Sequence, residues 1–349
     1  MTVLGWIWAT AVALGAGAVL WMSTLILLRL IHQRREARRA HDRRQLERAF
    51  VSILQTGEDR DGALTPYAGR ARLMAEALLD FLSLVRGHDR DVVLSALMAL
   101  DVPRTLRRRL SVGSLAGRRV CLEALAAFPG EDTAKALWAV ADTGSPDMRL
   151  TALRSLHETR GGVSFDHLLF QLRMGALPTS PLVGEFLRML VAEDPVAAAQ
   201  TLDSLSLSPP VEVLLLDALG SAGEYAVLPI LMRRAASPAA EVRAAAVSAL
   251  GALNHPAAEP AIRTALGDDE WQVRASAAQA AGAIRLAGLA DALAARLEDP
   301  VWRVRFLAAG ALAKLGPEGR RRLEQAAISP INLGSETAAL ALAERGLAT

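Results

Sequence analysis

The sequence predicts an all-α fold, a solenoid of about seven to nine helical hairpins preceded by one transmembrane helix. Three observations predict it. The apolar residues make up 52% of the chain and are mainly Ala and Leu, which favour helices, whereas aromatic residues make up only 4%. The last third of the chain repeats with a period of 31, and no charged side chain precedes Arg29. A disulfide scaffold is excluded because Cys121 is the one cysteine.

The first element is the predicted transmembrane anchor, residues 1–31. At about 1.5 Å per residue, the apolar stretch 3–28 would span roughly 39 Å, which exceeds the ~30 Å hydrocarbon core. A cleaved signal peptide fits less well, because no basic region precedes the stretch. Ala9, Ala13 and Gly17 recur at four-residue spacing, which would allow self-association through this helix unless the Ala-rich composition produces the spacing by chance.

The second element is a predicted basic juxtamembrane helix, residues 32–56. Residues 29–48 hold eight Arg against three acidic residues, a net charge of +5. Positive charge after the span places the N-terminus outside and the rest in the cytoplasm of a bacterium, as a single-pass inner-membrane protein. The arginines are expected to lie on anionic lipid headgroups, or alternatively to dock an acidic partner. They are Arg34, Arg35, Arg38, Arg39, Arg43 and Arg44.

The third element is the repeat array, predicted over residues 57–349. Arg243, Arg274 and Arg305 recur at the period of 31, and each follows a turn marked by Ser-Pro, Asp-Asp or Asp-Pro. One repeat is interpreted as a helix over Pro256–Leu266, a turn, and a second helix over Trp271–Ile284. An Asp in such a turn caps the free N–H groups of the helix that follows.

Two segments carry a resemblance to a known family. They are Asp299-Pro300-Val301-Trp302-Arg303-Val304-Arg305 with the following Ala308–Leu312, and Asp269 with 273–278. The pattern resembles the HEAT repeat, in the short bacterial form also found in phycobilisome-lyase-like proteins, and is specific over 208–328. The resemblance implies a ladder of contacts between neighbouring repeats. In this ladder the helix arginines Arg243, Arg274 and Arg305 would bind the turn aspartates. These aspartates are Asp268 or Asp269 in one turn and Asp299 in the next.

The sequence contains no motif or residue spacing that is typical of a catalytic site. None of the six histidines has the spacing of a metal site, and no phosphate-binding loop or nucleophile motif follows a strand. We therefore predict no enzyme activity, no cofactor and no metal. Nucleic acid is not a predicted partner either, because outside 29–48 the chain has 31 basic and 34 acidic residues, a net charge of −3.

Trp271 and Trp302 are the candidate partner-binding residues. Both lie at the start of a second helix, in the same phase of the repeat. They could pack between repeats, or they could anchor a partner, because Trp is enriched in interface hot spots.

The function that these observations favour is a protein-binding scaffold, or an accessory subunit of a membrane complex such as one for polysaccharide synthesis or secretion. Its partners would be membrane-associated proteins. The alternative, suggested by the repeat family, is a bilin-lyase-like enzyme or a chromophore chaperone.

Overall fold

The computed structural model describes residues 3–56, 62–159, 162–328 and 333–344; within the first helix it describes side chains at 17, 20–29, 33 and 40–55. The described residues form helices, turns and bends, with no β-strand among them. The chain divides into two compact units, Met1–Gly162 and Val163–Thr349.

The first unit is built on the C-terminal end of its first helix. Leu46, Phe50 and Ile53 of that helix are fully buried, and the Phe50 and Phe81 rings lie 5.0 Å apart. The sequence places Leu46, Phe50, Val51 and Leu54 at helical spacing; Leu46 and Phe50 are buried, whereas Leu54 is half-buried and Val51 is 50% exposed. The helices of the unit are α1 (Val3–Thr56), α2 (Ala71–Leu84), α3 (His88–Ala99), α4 (Val102–Arg109), α5 (Leu115–Leu125), α6 (Glu131–Thr143) and α7 (Pro146–Glu158).

The predicted anchor at 1–31 does not form a separate helix, because α1 runs without interruption from Val3 into the basic segment and ends at Thr56. In the part of the chain that the structure describes, no helix has both the length and the apolar content needed to cross a bilayer. The predicted single-pass inner-membrane localisation is therefore wrong. The side chains of 1–16, 18, 19, 30 and 31, which include Ala9 and Ala13, lie outside the described residues.

The second unit contains the regular repeats. Its helices are α8 (Phe165–Arg173), α9 (Pro181–Glu193), α10 (Pro195–Ser204), α11 (Pro209–Ala222), α12 (Leu228–Arg234), α13 (Ala240–Leu253), α14 (Glu259–Ala265), α15 (Trp271–Ile284), α16 (Ala290–Ala295), α17 (Trp302–Leu312), α18 (Pro317–Ala327) and α19 (Leu333–Glu344). We call α11, α13, α15, α17 and α19 the second helices. From α11 to α17 they pack side by side in chain order.

The helical hairpin predicted from the sequence is present with one difference. The second helix, α15, has the predicted bounds Trp271–Ile284. The segment predicted as one helix over Pro256–Leu266 is a short 3-10 turn, Pro256–Ala258, followed by α14. Pro260 explains the break, because it cannot donate the backbone hydrogen bond that an α-helix starting at Pro256 would need.

The second helices α11, α13 and α15 end in a residue of the same backbone conformation, and Gly316 repeats this conformation four residues after α17 ends, directly before α18. Gly223, Asn254, Arg285 and Gly316 have φ of 72°, 56°, 59° and 73°, in the left-handed region. These four positions follow one another at the period of 31. A left-handed residue after the last turn lets the chain leave the helix while its N–H still bonds to a helix carbonyl. The repeat is therefore set by the backbone as well as by side chains.

Candidate functional site

Arg274 joins two neighbouring repeats. Its Nε and Nη2 donate to the two carboxylate oxygens of Asp299, at 2.7 and 3.1 Å, and its Nη1 donates to the backbone carbonyls of Asp268 and Asp269, both at 2.8 Å. The guanidinium therefore holds the turn before its own helix and the turn of the next repeat at once. Two parallel N–H···O bonds to one carboxylate form the strongest arrangement available to an Arg–Asp pair.

Arg243 repeats this arrangement one period earlier. Its Nε and Nη2 both lie 2.8 Å from the carboxylate of Asp268, and its Nη1 lies 3.0 Å from the carbonyls of Ser237 and Pro238. The sequence does not distinguish Asp268 from Asp269 as the partner of the helix arginine. In the structure Asp268 supplies the carboxylate, and Asp269 contributes its backbone carbonyl to Arg274.

We call the contacts of Arg243 with Asp268 and of Arg274 with Asp299, continued by Arg305, the ladder. The ladder lowers the pKa of its carboxyl groups. The hydrogen bond from Arg243 is the main reason that the pKa of Asp268 lies below its ordinary value. Burial alone would raise the pKa of Asp299. The hydrogen bonds from Arg274 and from the Val301 N–H, with the positive charges of Arg274 and Arg296, outweigh burial and lower it. Both carboxylates are thus stabilised in the charged form that binds arginine.

The ladder has different residues at its two ends. Arg305 donates through Nη1 to the carbonyls of Asp299 and Pro300, at 2.8 and 3.1 Å, but its Nε is buried and has no acceptor within the described residues. In the next repeat the position equivalent to Asp299 is residue 330, which lies outside the described ranges. At the other end, Glu212 occupies the position equivalent to Arg243 and pairs with Arg234 at 3.3 Å.

Glycine sets the spacing between consecutive second helices. A Cβ added at Gly220 would lie 2.6 Å from the Cα of Ala249. Gly251 has the same relation to Ala280, and Gly282 to Ala311, with nearest atoms at 2.8 Å in both cases. The three pairs follow one another at the repeat period. The helices can approach this closely because neither partner carries a side chain larger than a methyl group.

The series of Gly–Ala contacts between consecutive second helices ends at α17. The next positions in the period hold Ala313 and Leu342 in place of the Gly and the Ala. Beside these residues a cavity of about 220 Å³ lies between α15, α17 and α19. We call it the terminal groove; it is lined by Ala and Gly residues together with the larger side chains Gln279, Phe306, Leu307, Lys314, Thr337, Leu340 and Glu344.

The two candidate tryptophans differ in exposure. Trp271 is half-buried, whereas Trp302 is 58% exposed. The Trp302 ring stacks on Phe306, with centroids 5.2 Å apart and planes at 21°. Phe306 is itself exposed and lines the terminal groove. Trp302 and Phe306 therefore form an exposed aromatic pair next to a groove with a mixed apolar and polar lining.

The predicted headgroup-binding arginines are described only in part. Arg34, Arg35, Arg38 and Arg39 fall outside the residues whose side chains are described. Arg43 forms ion pairs with Glu47, at 3.4 Å, and with Asp80 of α2. Arg44 is exposed. Arg43 therefore helps to hold α1 against α2 within the first unit.

Cys121 and the potential metal ligands do not form a reactive site in the described part of the chain. Cys121 is fully buried on α5, and burial raises the pKa of its thiol to about 11, although Arg109 acts in the opposite direction. No group of three or more His, Cys, Asp or Glu side chains within the described ranges could hold a metal ion.

Phe306 and Gly310 were missed by the sequence reasoning. A signal for them exists in the repeat itself. The positions equivalent to Phe306 hold Ala244 and Ala275, and those equivalent to Gly310 hold Ser248 and Gln279. Comparing equivalent positions between repeats identifies α17 as the exceptional second helix.

HEAT repeats are detected in this chain by family comparison, over residues 196–281, 228–313 and 259–345. This confirms the resemblance predicted over 208–328, and the successive matches are shifted by about one repeat. No curated protein matches the chain.

Solved structures with a similar arrangement of helices are distant in sequence. An engineered protein is 16% identical, with a TM-score of 0.34 and coverage of 86% of this chain and 98% of that one. A chain from the structure of Kap95p with RanGDP is 15% identical, with a TM-score of 0.42 and coverage of 86% and 41%. A chain from the karyopherin Kap121p bound to the C-terminus of the phosphatase Cdc14p is 16% identical, with a TM-score of 0.39 and coverage of 85% and 44%. The present chain spans less than half of the last two.

Proposed function

We propose that the HEAT repeats of residues 196–345 form a scaffold that binds a protein partner, and that the chain acts by binding and not by catalysis. The observation that carries the proposal is the exposed aromatic pair Trp302 and Phe306 beside the terminal groove. Large aromatic side chains are enriched among the residues that contribute most to protein interfaces, and an exposed apolar patch on a protein surface is a common interaction site.

The ladder supports this proposal from the energetic side. Association costs free energy when a loose surface has to become ordered. Here the helix that carries the aromatic pair, α17, is fixed at its start by Arg305, whose Nη1 bonds to the carbonyls of Asp299 and Pro300. The partner therefore meets a surface that is already in place.

Photo-crosslinking in the native cells tests the proposal. A photoreactive amino acid replaces Arg303, which is exposed beside Trp302, and in a matched control replaces Arg263, which is exposed on the first helix α14. We expect a discrete cross-linked product from position 303 and none of the same mass from position 263. Trp302→Ala should remove the product while leaving the helical content unchanged. Products that are identical from both positions, or that persist in Trp302→Ala, would contradict the proposal.

A further inference from the structure

One row of residues on α17 distinguishes this helix from the other second helices. Trp302, Phe306 and Gly310 follow one another at four-residue spacing along one side of the helix, and Lys314 continues the spacing in the turn two residues after the helix ends. Trp302, Phe306 and Lys314 are exposed and Gly310 is half-buried. We call these four residues the α17 stripe. At about 1.5 Å per residue, the stripe is roughly 18 Å long.

The preceding second helices supply an internal comparison. The equivalent row on α13 is Ala240, Ala244, Ser248 and Ala252, and on α15 it is Trp271, Ala275, Gln279 and Ala283. The repeat pattern therefore does not require two large aromatic side chains, a glycine and a lysine at these positions. Packing between repeats is satisfied without them.

Gly310 leaves open space on this surface. Among the described residues, a Cβ built on Gly310 meets no atom within 4 Å, whereas at Gly282, the glycine that touches α17 from α15, it would meet Ala311 at 2.8 Å. Gly310 lines the terminal groove together with Phe306 and Lys314. The stripe therefore offers a large apolar side chain and, one helical turn further on, a hole.

The stripe is complementary to itself when reversed. If two copies cross antiparallel about a twofold axis between Phe306 and Gly310, then Phe306 of each copy lies over Gly310 of the other. The same axis places Trp302 of each copy against Lys314 of the other. A twofold interface uses one patch twice, so each such contact occurs in duplicate.

The charges on the stripe also suit this arrangement. Lys314 forms no ion pair within the described residues, although it is exposed at the rim of the groove. An ammonium group is attracted to the face of a Trp ring, which is the best aromatic partner for a cation. Trp302 is 58% exposed and has one ring face covered by Phe306.

From these observations we propose that the α17 stripe is a self-association surface whose partner is a second copy of this chain. The inference rests on the proposed function, because it names a partner for the same aromatic surface. The surface area that one such stripe can bury is smaller than the ~800 Å² that each partner buries in a stable complex. We therefore expect a dissociation constant of about 10 μM or weaker.

Sedimentation of the purified full-length chain tests the inference. Over about 1 to 300 μM, a species of 37.1 kDa should convert into one of twice that mass. Gly310→Leu fills the hole and should raise the dissociation constant at least about tenfold. The matched control is Ser248→Leu, the same side chain at the exposed, equivalent position of α13, which should leave dimerisation unchanged. Circular dichroism and thermal unfolding would show that both variants fold.

A disulfide experiment tests the predicted register. Chains carrying Phe306→Cys are mixed with chains carrying Gly310→Cys and oxidised; Cys121 is buried and does not compete. The mixed disulfide should form faster than either homodisulfide, because the twofold axis pairs position 306 with position 310.

Three outcomes would overturn the inference: a monomer over the whole concentration range, a dimer that Gly310→Leu leaves intact, or no preference for the mixed disulfide. Its failure is distinguishable from failure of the proposed function. A monomeric chain that still cross-links from position 303 to a different protein retains the scaffold function and loses the self-association surface. A dimer that cross-links from position 303 only to a second copy supports the self-association surface and identifies that copy as the partner of the aromatic pair.

Discussion

Arg274 binds the carboxylate of Asp299 through two hydrogen bonds, and the two side chains are 10% and 1% exposed. The two residues belong to consecutive repeats. Because the same arginine also holds the turn before its own helix, one guanidinium fixes the position of two turns. Interfaces between repeats, more than any single hydrophobic centre, determine the stability of such an array.

Removal of the buried arginine should be costly. We expect Arg274→Ala to lower the free energy of unfolding by about 3–5 kcal/mol, because Asp299 is left buried without its two guanidinium hydrogen bonds and with Arg296, 4.0 Å away, as the remaining cation. The control is Arg188→Ala, which breaks an ion pair of 2.6 Å between side chains that are 41% and 56% exposed. That loss should be about 0–1 kcal/mol. Urea unfolding measures both, and equal losses would show that burial of the ladder is energetically irrelevant.

Acid should weaken the ladder. The pKa of Asp299 is lowered in the folded chain, so its contribution to stability is present above the unfolded value of about 3.9. The contribution is lost as the pH falls through the lower, folded value. We therefore expect Asp299→Asn to be less stable than the wild type at pH 7, and the difference to shrink below about pH 4. Unfolding curves at a series of pH values test this, and a difference independent of pH would disagree with it.

The glycines between second helices should not tolerate a methyl group. Gly282→Ala places a Cβ 2.8 Å from the Cα of Ala311, and we expect it to destabilise the chain by about 1–3 kcal/mol. Gly310→Ala is the matched control, because its Cβ meets no atom of the described residues within 4 Å. In a helix that change should stabilise by about 0.5–1 kcal/mol. Thermal unfolding should therefore move in opposite directions for the two variants; a shift in the same direction would refute the close-packing explanation.

Arg285 should be improved by glycine. It has φ of 59° at a position where the preceding and following repeats have Asn254 and Gly316. A left-handed conformation costs a residue with a Cβ roughly 1–2 kcal/mol, so Arg285→Gly should raise the free energy of unfolding by up to about 1 kcal/mol. Asn254→Gly should change it less, since Asn tolerates this region. Denaturant unfolding compares the two, and a destabilised Arg285→Gly would mean that the arginine side chain has an unidentified contact.

The sequence was informative wherever the repeat imposed the same requirement several times. The bounds of α15 and the HEAT resemblance over 208–328 were predicted because turn, arginine and apolar positions recur together. The spacing of Gly251 and Gly282 was visible too, but their close approach to Ala280 and Ala311 required coordinates. Periodicity identifies equivalent positions without saying which neighbour each one touches.

Other features could not be read in this way. The choice between Asp268 and Asp269 depends on the path of one turn, and adjacent carboxylates are indistinguishable by spacing alone. The anchor was predicted from the apolar composition of 3–28, whereas the structure has one continuous helix to Thr56 and no described helix suited to crossing a bilayer. Phe306 and Gly310 were missed because attention went to residues that recur, and these two are exceptions to the repeat.

The shared register of ladder, glycines and left-handed caps also bears on how such a chain can evolve. Deleting the segment 244–274 would bring Arg243 into register with Asp299 and Gly220 into register with Ala280, so every kind of contact would be re-formed with new partners. Duplication of the same segment would do likewise. Recombination of whole repeats therefore changes the number of repeats without creating a new kind of contact between helices. Glu212 with Arg234 at one end, and Ala313 with Leu342 at the other, mark where this freedom stops.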